Sequence, residues 1–120
     1  MDTSELVRIY CSAWNEPAES SRRKLLEAVW ADDGVYSDPL GRVDGRDAFV
    51  AHIGGFHQSM PHHRIQPTSG IDEHDGFLRF TWSMTGPAGE QVMEGIDFGE
   101  LAPDGRLRRI TGFFGQPPAI

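Results

Sequence analysis

The chain has a single cysteine, Cys11, so no disulfide can form within it, and nothing in the sequence sets an adjacent base beside that thiol. Its place within a predicted helix reads as a small buried apolar group. Excess positive charge is also missing: 11 Lys and Arg against 18 Asp and Glu leave a net charge of −7. The basic residues are scattered apart from Arg22-Arg23-Lys24 and Arg106 to Arg109, which argues against a nucleic-acid partner. No apolar run approaches the length needed to cross a bilayer, and MDTSELV lacks the basic-then-apolar form of a secretion signal. Together these predict no membrane association and a cytoplasmic location. Metal-ligand spacing is absent as well. His52 and His57 stand five apart on one predicted helix, and His62-His63 would face opposite ways if extended, so no zinc site is expected.

What is there is enough for one core. At 120 residues, without internal repeat, low-complexity stretch or linker, the chain reads as a single domain over 1–120. Leu6, Tyr10, Ala13 and Trp14 recur at helical spacing, with Thr3 or Ser4 available as cap and Asn15-Glu16-Pro17 as stop. Leu25, Leu26, Val29 and Trp30 form a second stripe, expected to end at Asp32-Asp33-Gly34. Val35-Tyr36-Ser37 then reads as a short strand leading into Asp38-Pro39-Leu40-Gly41, because a residue before proline is pushed toward extended backbone. Asp44-Gly45-Arg46-Asp47 resembles a capping box for a third helix, whose stripe of Phe49, Ile53 and Phe56 continues to Met60-Pro61.

Beyond Pro61 the period drops to two. Four segments, 62–71, 77–86, 90–101 and 106–114, are separated by the turns Asp72 to Gly76, Gly86 to Gly89 and Ala102 to Gly105. Leu78, Phe80, Trp82 and Met84 alternate with polar residues, marking one apolar face. In 90–101, Val92, Ile96 and Phe98 fall on one face and Met93, Asp97 and Leu101 on the other, so both carry apolar groups. One side is therefore read as a subunit contact, which predicts a homodimer. Three helices followed by a long antiparallel sheet is an α+β layout with helices over one sheet face.

The phrases YCSAWN, WADDGVYSDPLG, DGRDAF and PDGRLRRITGFFG, in this order and over nearly the whole chain, resemble the nuclear transport factor 2-like superfamily, in its SnoaL-like and ketosteroid isomerase-like branch. The resemblance implies a cystatin-like cone. Its isomerases use the aspartate of an Asp-Pro-x-Gly turn after the second helix as base, which is Asp38 here. Their oxyanion tyrosine, in the first helix, corresponds to Tyr10, and their protonated aspartate, in an Ile-Asp pair, to Asp97 of Ile96-Asp97. The resemblance implies proton relocation on a hydrophobic carbonyl compound with no metal and no organic cofactor: one carboxylate takes a proton beside the carbonyl, while a phenol and a neutral carboxyl hold the oxygen.

Some positions depart from relatives. The tyrosines that back the oxyanion tyrosine in well-known isomerases correspond to Trp30 and Ile53, and the last strand carries no acid of the kind SnoaL-type polyketide cyclases use. Arg79 could join an epoxide-hydrolase-like acid set only by pointing against its strand's alternation.

The expected partner is a small hydrophobic ligand or substrate, held in a cavity that a helix-closed cone leaves unfilled. The expected lining is Trp14, Phe49, Ile53, Phe56, Trp82, Met84 and Phe114, with His52 or His57 at the mouth. Other readings assign Asp38 to an ordinary turn, Tyr10 to the core and Asp97 to a salt bridge, making the chain a non-catalytic ligand-binding or dimerisation module, or, less fittingly, a protein-binding scaffold. Whether Tyr10, Asp38 and Asp97 share one space separates them.

Overall fold

A computed structural model describes residues 1–120. Three helices, α1 (Thr3–Trp14), α2 (Glu19–Val29) and α3 (Arg46–Ser59), cover one face of a curved sheet. Its strands are β1 (Trp30–Asp38), β2 (Gly41–Asp44), β3 (Arg64–Pro67), β4 (Asp72–His74), β5 (Phe77–Thr85), β6 (Gln91–Leu101) and β7 (Leu107–Phe114). The order is β2-β1-β7-β6-β5-β3, with β4 also on β5. Every pairing is antiparallel except β1 with β7, which is parallel.

Helix α1 starts one residue earlier than its sequence suggests: Asp2, not Thr3 or Ser4, is the cap, and its carboxylate accepts the Glu5 N–H at 2.8 Å. At the other end Asn15 acts as a surrogate strand residue. Its side-chain amide donates to the Ile65 carbonyl and accepts the Ile65 N–H, both at 2.7 Å, which ties the end of α1 to β3.

The second helix is shorter than its stripe predicts. It ends at Val29, and Trp30, at φ −120° and ψ 123°, opens β1 opposite Leu107 of β7. Asp32-Asp33-Gly34 is therefore no helix stop but an irregularity within the strand, since the register jumps from Trp30↔Leu107 to Val35↔Arg109. Two observations account for this. The Trp30 carbonyl accepts two bonds from the Arg46 guanidinium, at 3.0 and 2.7 Å, and Gly34 lies so close over the indole that a Cβ there would stand 2.5 Å from Nε1. Sheet pairing and packing of a fully buried indole override helical spacing.

The expected capping box of α3 does not form. Gly45 at φ 92° precedes the helix without a side-chain cap, while Asp44 pairs with Arg42 and Asp47 with Arg23. The segment expected as one strand over 62–71 extends only over Arg64–Pro67, and part of the predicted turn at 72–76 is strand: Asp72–His74 pairs back on Phe77–Arg79. Asp75 and Gly76 both take positive φ there, 52° and 82°, the backbone of a two-residue hairpin turn. Arg79 is exposed and pairs with Asp72 at 2.8 Å, as its alternation requires.

Leu78, Phe80, Trp82 and Met84 are all buried, as their period predicts. They meet the helices through a continuous core that includes Val7, Leu26, Val50, Leu107 and Ile110. The opposite sheet face leaves Val92, Phe98 and Phe113 open to solvent at 42, 41 and 54%. No helix is long and apolar enough to cross a membrane.

Candidate active site

Cross-strand register builds the site. Asp97 of β6 lies opposite Phe80 of β5 and Gly112 of β7. On the other side of β7 the parallel pairing runs Tyr36↔Ile110 and Ser37↔Thr111, so Asp38, one step on, ends β1 beside Gly112. Residues in register share a face, and the two acids stand two strands apart, about 10 Å between backbones. Between them the sheet has no side chain. A Cβ at Gly112 would lie 2.8 Å from Asp97 Oδ1 and 3.6 Å from Asp38 Cβ, so both acids close on one point that only glycine leaves free.

These groups open on a cavity of about 370 Å³ between the sheet and α1 and α3. Tyr10, Asp38 and Asp97, remote in sequence, all lie on its wall. So do Trp14, Phe56, Trp82, Met84 and Phe114. Phe49 and Ile53 do not. Both are fully buried in the core, because their side of α3 packs inward, Phe49 lying between Trp30 at 4.6 Å and Tyr36 at 4.9 Å, ring centre to ring centre. Of the two histidines on α3, His52 reaches the wall, against the rings of Trp14 and Tyr36. His57 turns away and bonds the Trp14 carbonyl at 2.8 Å, and burial holds its pKa below the usual imidazole value.

Asp97 is 6% exposed and bonded to no arginine. Its Oδ1 accepts the Trp82 indole N–H at 3.0 Å. Burial pushes its pKa up to about 7; the Trp82 bond pulls it down, and the charge of Asp38 adds to the rise. Near neutrality this carboxyl thus exchanges between an acid that can donate and a carboxylate.

The Tyr10 hydroxyl is buried without a hydrogen-bond partner. Burial, then the charge of Asp97, raises its pKa well above the ordinary phenol value, so it stays protonated. Cys11 is likewise held as a thiol by burial, pushed up to about 12. An unsatisfied phenol is expensive in a dry interior, and it becomes satisfied if a ligand atom arrives beside it.

Asp38 is held at both oxygens. Oδ1 accepts the Leu40 N–H at 2.8 Å, the turn geometry that Asp38-Pro39-Leu40 suggests, and Oδ2 accepts the Tyr36 hydroxyl at 2.7 Å. Tyr36 is a site residue that sequence reading missed, although its signal was present: residues two apart on a strand share a face, so Tyr36 and Asp38 were bound to be neighbours. Burial, reinforced by the bond to Asp38, keeps this phenol protonated. No group of three His, Cys, Asp or Glu gathers as a metal site.

A family profile described as the SnoaL-like domain matches residues 7–110. A crystal structure from Agrobacterium tumefaciens strain C58, of a protein proposed as an isomerase of the SnoaL-like family, shares 32% identity over 93% of this chain and 96% of that one, with a TM-score of 0.88. A protein of unknown function with a cystatin-like fold from Methylobium petroleophilum PM1 superimposes with a TM-score of 0.76 at 17% identity, covering 96% of this chain and 76% of that one. An NTF2-like protein of unknown function from Cytophaga hutchinsonii does so with a TM-score of 0.70 at 13% identity, over 96 and 91%. No curated protein matches the chain. The profile match, the 32% identity and the helix-covered, mainly antiparallel sheet make the chain a member of the SnoaL-like family, with the cystatin-like α+β fold of NTF2-like proteins.

Proposed function

We propose that the cavity isomerises a hydrophobic carbonyl compound by moving a proton, without a cofactor. Asp38 removes a proton from the carbon beside the carbonyl, the C–H electrons pass into an enolate, and Asp38 returns the proton to the far end of the conjugated system. Tyr10 and neutral Asp97 donate hydrogen bonds to the enolate oxygen, whose charge exists only once the C–H bond breaks. The observation that carries this reading is Asp97: a buried carboxyl group with no cationic partner, facing the same largely apolar cavity as a second carboxylate. The Agrobacterium relative, proposed as an isomerase, supports it further.

The test is the growth of conjugated-enone absorbance with a panel of β,γ-unsaturated ketones. Wild type is expected to turn over at least one member, and Asp38→Asn to lose about 10² to 10⁴ of the rate, the usual worth of a positioned base. Absence of turnover by wild type on every member would remove the proposal. A non-catalytic apolar-ligand module is the second reading. It is favoured by one observation, that both Asp38 oxygens already serve a turn and a phenol. It predicts that ketones bind without being converted and that Asp38→Asn changes nothing but stability.

A further inference from the structure

The cavity wall is unbalanced in charge. It carries two carboxyl groups and no lysine or arginine, and His52 is the one side chain on it able to become positive. The rest is mostly apolar and includes several aromatic rings: Trp14 lies 5.4 Å from Tyr36 and Trp82 lies 5.9 Å from Phe114, ring centre to ring centre, with Phe56 beside Trp14. Aromatic faces attract cations, more strongly where water is excluded.

Three of the polar groups on the wall match one ligand head in number. Asp97 has one oxygen on the Trp82 indole and none of its bonds on the other. The Tyr10 hydroxyl has no partner, and each Asp38 oxygen, with one bond accepted, keeps a lone pair. A primary ammonium has three N–H donors, and here three acceptor groups face one hollow. We propose that this cavity binds small apolar amines in their ammonium form, the nitrogen seated between Asp38 and Asp97 with Tyr10 as third acceptor, and the hydrocarbon body against the aromatic wall. Anionic ligands meet two acids and no cation, and are excluded. This holds whether or not the cavity also performs proton transfer, since binding is read separately from turnover.

The groups facing Asp97 are Asp38 and Tyr36 from β1, Tyr10 and Cys11 from α1 and the Trp82 indole from β5, while His52 from α3 lies on the same cavity wall against Trp14 and Tyr36. The phenols and the thiol stay protonated through neutrality, which leaves Asp97 as the expected source of pH dependence, with His52→Gln as the control.

Three probes on one skeleton suffice: 2-aminotetralin, 2-tetralone and tetralin-2-carboxylate, titrated by calorimetry or by quenching of Trp14 and Trp82 fluorescence. At about pH 8 the amine is expected to bind at least about tenfold more tightly than the ketone, and the carboxylate not to bind. Between about pH 6 and pH 8 amine affinity is expected to rise about tenfold as Asp97 ionises, and near pH 6 its binding releases close to one proton. His52→Gln keeps that rise and Asp97→Asn abolishes it. An amine no better than the ketone at pH 8, or a rise that vanishes in His52→Gln and survives in Asp97→Asn, overturns the proposal. Failure of wild type to turn over any β,γ-unsaturated ketone of the panel sinks the isomerase reading and leaves this one standing.

Discussion

Replacing Asp97 by asparagine is expected to stabilise the protein above neutrality, although it alters a buried side chain. The asparagine keeps the shape and an oxygen for the Trp82 indole, and removes only the ability to ionise. In the unfolded chain the aspartate titrates near its ordinary value of 3.8; in the fold burial holds it at about 7. Between those values the folded state binds a proton that the unfolded state has lost, so stability falls as pH rises, by about 1.4 kcal/mol per pH unit, and levels off above about 7. The displacement of about three units makes the whole loss about 4 kcal/mol, an order-of-magnitude figure. It is a large part of the 5–15 kcal/mol by which domains are usually stable.

Urea unfolding of wild type and Asp97→Asn, followed by circular dichroism from about pH 4.5 to pH 8.5, reads the effect directly. Titrating groups that do not interact with Asp97 are common to both proteins and drop out of the difference. The two should be similar at the acid end and diverge steadily to about pH 7 in favour of the variant, a gap of about 3 to 4 kcal/mol in unfolding free energy. A difference that stays flat across this range would show that Asp97 is not desolvated in the folded chain, and would refute both the neutral donor and the dry site around it.

Further outcomes follow from single contacts. Gly112→Ala places a methyl 2.8 Å from Asp97 Oδ1, so steady-state kinetics on a converted ketone should show a fall of tenfold or more in kcat/KM. Tyr36→Phe removes the bond that holds Asp38 Oδ2; kcat is expected to drop several-fold while KM, governed by the apolar wall, stays near wild type. Gly34→Ala drives a methyl to 2.5 Å from a fully buried indole and should cost about 1–3 kcal/mol in chemical denaturation. The exposed Val92, Phe98 and Phe113 face is proposed as the homodimer contact; Phe98→Glu with Phe113→Glu should convert a dimer to a monomer in sedimentation velocity, and a wild type that is already monomeric refutes it.

Periodicity made most of the architecture legible. Strict alternation from Leu78 to Met84 and helical spacing from Leu6 to Trp14 report burial that is local to each element, because one face must leave water wherever the element docks. The proline after Asp38 likewise announced an extended backbone and a turn. Trp30 was not legible: its spacing from Leu26 and Val29 is helical, and only pairing with Leu107 and the close approach of Gly34 make it a strand residue. Phe49 and Ile53 failed for a related reason, since an apolar side chain on α3 looks the same in sequence whether it meets other side chains or an empty hollow.

Chain order carries the residue types the proposed chemistry needs, a tyrosine in the first helix, an acid before a proline and an acid within an apolar strand, and it does so through short-range patterns. That the acids are neighbours depends on the parallel pairing of β1 with β7, a contact between the first strand and the last, and on Gly112 leaving open the point between them. Such pairing is specified by the summed burial of the whole core rather than by any local signal. Burial also fixes the protonation of Asp97 and isolates the Tyr10 hydroxyl, since the energy of a charge or an unpaired phenol depends on what the fold packs around it.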